Sequence, residues 1–187
     1  MPQETEIKFQ VANARQLTRK LKSLGFRLKT RRTHEMNTLY DFSAQSLRKR
    51  GEVLRIRRYG PKWTITHKAK GKAGRHKSRV ETETVVNDGK SMEEIFRALG
   101  LRPAFRYEKF RAEWADRTGH LVLDETPIGT YAELEGRSHW IDRMAKRLGL
   151  TQADYITQTY AELFRNWKQR TGSPAEEMTF EAVRKRR

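Results

Sequence analysis

The segment Glu4-Thr5-Glu6-Ile7-Lys8-Phe9 sets two carboxylates and an ammonium at every second position. On a strand, successive side chains point to opposite faces, so Glu4, Glu6 and Lys8 share one face while Thr5, Ile7 and Phe9 share the other. The same test gives the same division downstream. Arg55 and Arg57 oppose Leu54 and Ile56, and Thr64, Thr66 and Lys68 oppose Trp63 and Ile65. Arg79, Glu81 and Glu83 oppose Val80, and Lys109, Arg111 and Glu113 oppose Phe110 and Trp114. Asp124 opposes Leu121 and Leu123, and Glu133 and Glu135 oppose Ala132 and Leu134. A sheet with one solvated face accounts for any single strand of this kind. It accounts poorly for all of them, because solvated faces scatter Thr, Ser, Gln, Lys and Glu, whereas this face concentrates Arg and carboxylates in i, i+2 pairs. If the sheet closes, these charges converge in an interior. There they are costly unless paired, or neutralised by ligand and metal.

Arg and Lys offer donors matched to phosphate oxygens, and Arg can bind them bidentately. Grouped carboxylates without Cys and with few His suit a hard divalent ion, Mg²⁺ or Mn²⁺, rather than zinc. Bases and carboxylates together describe a metal–polyphosphate site. The bases Lys8, Arg55, Arg57, Lys68, Arg79, Lys109 and Arg111 balance the acids Glu4, Glu6, Glu81, Glu83, Asp124, Glu133 and Glu135. The chain as a whole has 40 Lys and Arg against 23 Asp and Glu, a net charge of +17, so that surplus lies elsewhere. It points to anionic partners in general.

The elements that carry these residues read mostly as strands, near 3–11, 35–43, 52–59, 62–70, 78–87, 105–115, 119–126 and 130–136. Turn chemistry separates several of them, at Tyr59-Gly-Pro-Lys, at Asp116-Arg-Thr-Gly-His and at Thr126-Pro-Ile-Gly-Thr. Eight strands joined mainly by short turns make a large antiparallel sheet or a closed barrel. Residues 13–24 form a helix with Leu17, Leu21 and Leu24 on one face, Asn13 as N-cap and Gly25 as stop. A second runs from Ser91 to Gly100, with Ser91 and Glu94 at capping-box spacing. A third covers 138–148 with Trp140, Ile141, Met144 and Leu148 inward. A fourth follows Thr151 and carries Tyr160, Leu163, Phe164 and Trp167. Ser173, Pro174 and Glu176 open a loosely attached basic tail helix.

The 187 residues suffice for one well-packed domain. The expected division is a body at 1–170 and a basic tail at 171–187. With no Cys, disulfides and thiolate metal sites are excluded. No apolar run approaches membrane-spanning length and no signal-peptide pattern opens the chain, so a cytoplasmic location without membrane association is expected.

Glu4-x-Glu6-x-Lys8 resembles the ExExK motif of the CYTH superfamily, the triphosphate tunnel metalloenzymes. The downstream order agrees: Leu-Arg-Ile-Arg at 54, Lys68, Arg-Val-Glu-Thr-Glu at 79, Lys-Phe-Arg at 109, Leu-Asp-Glu at 123 and Glu-Leu-Glu at 133. The likeness runs from residue 4 to about 164. It implies a mainly β (α+β) fold, a closed eight-stranded antiparallel barrel forming a tunnel with helices packed outside. It also implies that a triphosphate chain binds in the tunnel with divalent metal and is hydrolysed or cyclised. By this resemblance Glu4, Glu6, Asp124, Glu133 and Glu135 hold metal, and Glu4, Glu6 and Lys8 form the catalytic group. Lys8, Arg55, Arg57, Lys68, Arg79, Lys109 and Arg111 hold the phosphates, and Glu81 and Glu83 orient the bases. With water as nucleophile the enzyme is a triphosphatase. With the 3′-hydroxyl of ATP attacking the α-phosphate, it is a class IV adenylyl cyclase. Inorganic tripolyphosphate, nucleoside triphosphates and thiamine triphosphate all present the same chain, and a homodimer is compatible with the family.

The loop from Lys68 to Arg79 holds six basic residues and no acid. It reads equally as an electropositive gate or as a solvated hairpin loop. The terminal Arg184-Lys-Arg-Arg reads as a solvated tail. His34, His67, His76, His120 and His139 lack ligand spacing, and packing accounts for Tyr160. Two readings of other classes remain: a nucleic-acid-binding barrel, disfavoured because strand carboxylates would repel phosphate without metal, and a non-catalytic polyphosphate binder, which could lose the acids kept here.

Overall fold

The computed structural model describes residues 3–71 and 74–184, the side chain of Gln3 excepted. Lys72 and Ala73 of the basic loop and Lys185, Arg186 and Arg187 of the basic terminus lie outside the described residues. Eight strands, β1 (Gln3–Gln10), β2 (Arg27–Phe42), β3 (Val53–Tyr59), β4 (Lys62–Lys68), β5 (Lys77–Val86), β6 (Leu101–Ala115), β7 (Gly119–Thr126) and β8 (Gly129–Gly136), form a closed barrel. Around the barrel they run β1-β5-β4-β3-β2-β6-β7-β8, and every neighbouring pair is antiparallel. Closure falls on β1, which pairs with β5 through Glu4↔Arg79 and with β8 through Lys8↔Glu133. The expected mainly β barrel is therefore what the chain forms. Six helices accompany it: α1 (Ala14–Ser23), α2 (Ser46–Lys49), α3 (Gly89–Ala98), α4 (Ser138–Leu148), α5 (Tyr160–Thr171) and α6 (Phe180–Arg184). Among the described residues no helix is long and apolar enough to cross a membrane.

Strand alternation puts the charged face inside, so the apolar core lies outside the barrel, between its wall and the helices. Ile7, Phe9, Leu121, Leu123, Ala132 and Leu134 face outward against Leu21, Phe26, Trp140, Ile141 and Met144. Tyr40, Leu47, Ile56, Phe96 and Leu101 form a second outer cluster, whereas Tyr107 and Tyr131, on the same strand face as Lys109 and Glu133, pack with Tyr160, Phe164, Ala175 and Met178 in a third.

Five local expectations are corrected. β2 starts at Arg27 rather than near 35, where it pairs with β6 through two register irregularities; Lys29, Arg31 and Arg32 hide the strand pattern there. β6 starts at Leu101 and accommodates Pro103 beside the irregularity at Leu39/Tyr40, where a missing N–H is tolerated. α3 is capped by Asp88, which accepts from the Lys90 and Ser91 amides, and not by Ser91. Thr151 and Asp154 cap only a single 3₁₀ turn, and α5 starts at Tyr160 behind a second capping box, Thr159 with Glu162. No helix begins at Ser173. Residues 173–179 run across the body, where Met178 is fully buried and bridges to Tyr107, before the short α6. α2 was not anticipated. Asp41 organises it by accepting from the Leu47 and Arg48 amides, each at 2.9 Å.

One close approach holds α4 against the barrel. Asp116 accepts from Trp140 Nε1 at 2.8 Å, and the indole lies across Gly119. A Cβ on Gly119 would stand 2.6 Å from the ring, inside van der Waals contact. Gly119→Ala is expected to lower the urea midpoint by about 1–3 kcal/mol of stability through overpacking. An unchanged midpoint would show that α4 moves freely.

Candidate active site

The barrel interior is a cavity of about 1400 Å³ whose lining includes Glu4, Glu6, Lys8, Arg55, Arg57, Lys68, Arg79, Glu81, Glu83, Lys109, Arg111, Glu133 and Glu135. Every site residue expected from the sequence thus stands on this wall except Asp124, which lies fully buried just behind it. The register explains the convergence. Glu6 opposes Glu135 and Lys8 opposes Glu133 across β1–β8; Lys68 opposes Glu81 across β4–β5; Arg111 opposes Asp124 across β6–β7.

The bases are held by acids. Lys8 Nζ lies 3.2 Å from Glu133 and donates to the Gln158 carbonyl at 3.1 Å. Arg57 donates to Glu83 at 3.0 Å and to Thr64 Oγ1 at 3.2 Å. Arg55 donates to Thr66 Oγ1 at 3.1 Å, and that hydroxyl donates to Glu83 at 2.7 Å. Lys68 lies between Glu4, at 2.9 Å, and Glu81. Glu81 and Glu83 therefore both touch bases of the cavity wall. Two buried donors, Arg55 Nε and Arg79 Nε, have no hydrogen-bond partner among the described residues. Unsatisfied buried donors are expensive, and a phosphate oxygen is the acceptor they suit.

Asp124 differs from the expected metal ligand. Arg111 donates to both of its oxygens at 2.7 Å, Lys109 donates at 2.8 Å and the Tyr160 hydroxyl at 2.7 Å. An acid enclosed by these donors orients bases. Glu133, bound to Lys8 and to Arg111 at 2.8 Å, is similarly engaged. Burial disfavours its charge, but Lys8, Arg111 and Lys109 hold it well below the usual carboxylate range.

Sequence reasoning passed over Glu35. It is fully buried and lies 3.4 Å from Lys109, 3.8 Å from Arg111 and 4.0 Å from Arg57, while Asn37 Nδ2 donates to it at 2.9 Å. Burial pushes its carboxyl up, but Lys109, Arg111 and Arg57 pull it far below the ordinary 4.5. Period-two reading of Glu35-Met-Asn37 would have placed it on the charged face. Lys77, 3.6 Å from Glu6, was also missed and sits one pleat before Arg79. Tyr160 does more than pack: besides its bond to Asp124, its ring lies under the ammonium groups of Lys8 and Lys109 at 4.6 and 4.8 Å.

Glu4, Glu6 and Glu135 make up the acid-rich stretch. Burial first, then the charges of Glu4 and Glu6, push the Glu135 carboxyl up to about 7. Glu4 is raised by burial and by its hydrogen bond with Glu81. Burial opposes charge on Glu81 too, yet that bond and Lys68 keep it below the ordinary value. Among the described residues no three acids or imidazoles are gathered closely enough to enclose an ion. The donor set still fits a hard cation that keeps part of its water shell, since mutual repulsion of these acids is what such a charge relieves.

A closed antiparallel barrel whose interior wall sets bases against acids is the class of protein that fold and site define. The chain belongs to the CYTH family: the CYTH domain matches residues 2–160. A protein of Methanocaldococcus jannaschii named "Putative adenylate cyclase" is 25% identical over 171 residues, covering 86% of this chain and 97% of that one. A solved structure from Vibrio parahaemolyticus, likewise called a putative adenylate cyclase, superposes with a TM-score of 0.78 at 19% identity, covering 87% and 97%. A Hippeastrum protein, described as a putative adenylyl cyclase that reveals a dominant triphosphatase activity, gives 0.67 at 20% identity, covering 89% and 96%.

Glu35→Gln should remove one of the acids that offset Lys109, Arg111 and Arg57, which keep Asp124, Glu133 and Glu83, and cost about 1–3 kcal/mol in urea unfolding at neutral pH. Glu35 is depressed when folded, so its stabilisation is present above the ordinary carboxylate value and is lost as pH falls toward the folded one. The gap between wild type and variant should therefore persist at neutral and alkaline pH and narrow in strong acid. A gap that widens with acid contradicts the assignment.

Proposed function

We propose that this chain is a divalent-metal-dependent phosphohydrolase acting on a triphosphate-bearing substrate held in the tunnel. The observation that carries this reading is a wall of bases, all but Arg79 paired with an acid among the described residues, with donors of Arg55 and Arg79 left over for an anion. A solvated surface would not fix its cations this way. Trp114 Nε1 and the Tyr40 hydroxyl of the apolar clusters are also unmatched among the described residues, but only the Arg55 and Arg79 donors are cationic and belong to residues that line the cavity among other bases. In this reading Arg55, Arg57, Lys68, Arg79, Lys109, Arg111 and Lys8 bind the phosphate chain, and Lys77 joins them.

Glu4, Glu6 and Glu135 would hold Mg²⁺ or Mn²⁺; Asp124, Glu133, Glu81, Glu83 and Glu35 orient the bases instead. Bound there, the ion would offset charge on phosphate oxygens and acidify water. The bases keep the chain extended and the reacting phosphorus in line with the attacking oxygen. Glu4, raised by burial and by Glu81, is placed to take the proton of the attacking water as the P–O bond to the leaving phosphate breaks. Because the acids that orient the bases are already in place, the site requires little rearrangement as charge develops on the phosphate oxygens.

A second reading, conversion of ATP to cyclic AMP and pyrophosphate, is favoured by the names of the M. jannaschii and V. parahaemolyticus relatives. It uses the same residues, with the ribose 3′-hydroxyl in place of water.

Purified protein with Mg²⁺ or Mn²⁺ should release phosphate from tripolyphosphate, a nucleoside triphosphate or thiamine triphosphate, and chelator should abolish release. Cyclic AMP from ATP without phosphate release would transfer the assignment to the cyclase. If neither product forms while triphosphate binding persists, the chain is a non-catalytic binder. Glu4→Gln with Glu6→Gln should lower turnover by about 100-fold or more; turnover that survives intact removes these two acids from the mechanism.

A further inference from the structure

The charge of +17 is not in the tunnel, and its location is specific. Between Phe9 and His34 the chain has eight Lys and Arg and no Asp or Glu. α1 buries Leu21 and packs Leu17 and Leu24 inward, which turns Arg15, Arg19 and Lys22, at i, i+4 and i+7, into one outward stripe. α4 buries Trp140, Ile141, Met144 and Ala145, which turns Arg143, Lys146 and Arg147 outward in the same way. Both helices pack into one apolar cluster over the outer faces of β1, β7 and β8, and Phe26 and Trp140 join them with ring centroids 6.1 Å apart. Their two stripes therefore belong to one side of the molecule, and exposed Arg27 and Lys29 at the start of β2 extend it.

All six stripe residues are exposed, and none makes an ion pair or side-chain hydrogen bond among the described residues. In the tunnel almost every base has an acid; here none does. The single acid of α4, Asp142, is already occupied by Arg75 and by His76 at 2.8 Å, so it does not offset the stripes. Self-repulsion of unpaired cations destabilises the fold slightly, and an anionic partner would relieve it.

We propose that the α1–α4 face docks the phosphate backbone of a nucleic-acid duplex, outside the tunnel and without base readout. Three observations select this occupant. The face is cationic over two helices and a strand end, as phosphate contacts require. It exposes no Phe, Tyr or Trp, so it lacks the stacking platform of single-strand binders. Leu28 is its one exposed large apolar residue, too little for the apolar stripe of a membrane-lying helix, because the apolar sides of α1 and α4 are consumed by the core. The expectation against nucleic acid concerned the acid-lined tunnel, and this face is separate from it.

The test is fluorescence anisotropy of the full chain with short blunt DNA and RNA duplexes bearing 5′-hydroxyl ends, which offer the tunnel no terminal phosphate. Affinity should fall linearly with salt on logarithmic axes. Arg15→Gln/Arg19→Gln/Lys22→Gln and, separately, Arg143→Gln/Lys146→Gln/Arg147→Gln should each weaken binding about tenfold or more and reduce the slope by about 3. Tripolyphosphate turnover and thermal melting should stay as in wild type, which separates this proposal from the one about the tunnel. The proposal is overturned if both triple variants bind duplex as wild type does. It is also overturned if wild type binds phosphatidylserine vesicles or single strands in preference to duplex.

Discussion

Lys109 and Glu35 lie 3.4 Å apart in the tunnel wall, both almost wholly buried, and each stays charged there only within a network of opposite charges: Asp124 also holds Lys109, and Arg111 and Arg57 also face Glu35. Desolvating one ion costs several kcal/mol, more than a domain of this size can lose many times over. The barrel meets this constraint by register. At several levels a neighbouring strand supplies the opposite sign, so Lys8 meets Glu133, Lys68 meets Glu81, Lys109 meets Glu35 and Arg111 meets Asp124, whereas Glu6 meets Glu135. A slip of one residue would turn every charge into the outer apolar layer, so this pairing also specifies the closure of the barrel.

The inverted layout follows from the same constraint. With most of the interior committed to charge, hydrophobic burial comes largely from outside the wall, where α1 and α4 supply it, while α5 packs Tyr160 and Phe164 on Phe105, Tyr107 and Tyr131 along the inner face itself. Residues 173–184 take part, since Met178 and Ala175 close the cluster around Tyr160. Tyr160 belongs to both layers. Its ring packs with Tyr107 and Tyr131, while its hydroxyl holds Asp124 and its face meets Lys8 and Lys109. Packing of α5 is thereby coupled to the geometry of the cavity-wall bases.

Much of this was legible because strands write their faces in alternate residues. Glu4/Glu6, Arg55/Arg57 and Glu133/Glu135 each announced a wall, and turn chemistry separated the strands. What escaped did so for physical reasons. The first half of β2 is polar on both faces and irregular in register, so no alternation marks it. Asp88 and Thr159 cap helices that the nearer candidates Ser91 and Thr151 concealed. Glu35 escaped because its neighbours on the face are Asn37 and Leu39, not a second charge. The partners of Asp124 and Glu133 could not be read at all, since an acid free for a cation and an acid held by an arginine look alike until their neighbours are placed.

Those partners also give the tunnel a direction. At one mouth β2 ends against the start of β6, Phe42 opposite Leu101, and the lining there includes Arg48, Arg102, Arg165 and Lys168 with Phe105. The acids Asp41, Glu52 and Glu162 there are taken up by the Leu47 and Arg48 amides, by Arg50 and by Thr159. At the other, Glu113 opposes Val122 and His120 opposes Glu135, which in turn opposes Glu6. A polyphosphate lying along the axis would meet, at one end, cations without acid partners among the described residues and, at the other, acids that repel one another even though Lys68 and Lys77 hold Glu4 and Glu6. The acid end repels a bare anion and tolerates one whose charge is offset by a cation, whereas the basic end attracts any anion. Electrostatics alone would thus draw a chain in through the basic mouth, with its leading phosphate carried toward Glu4, Glu6 and Glu135.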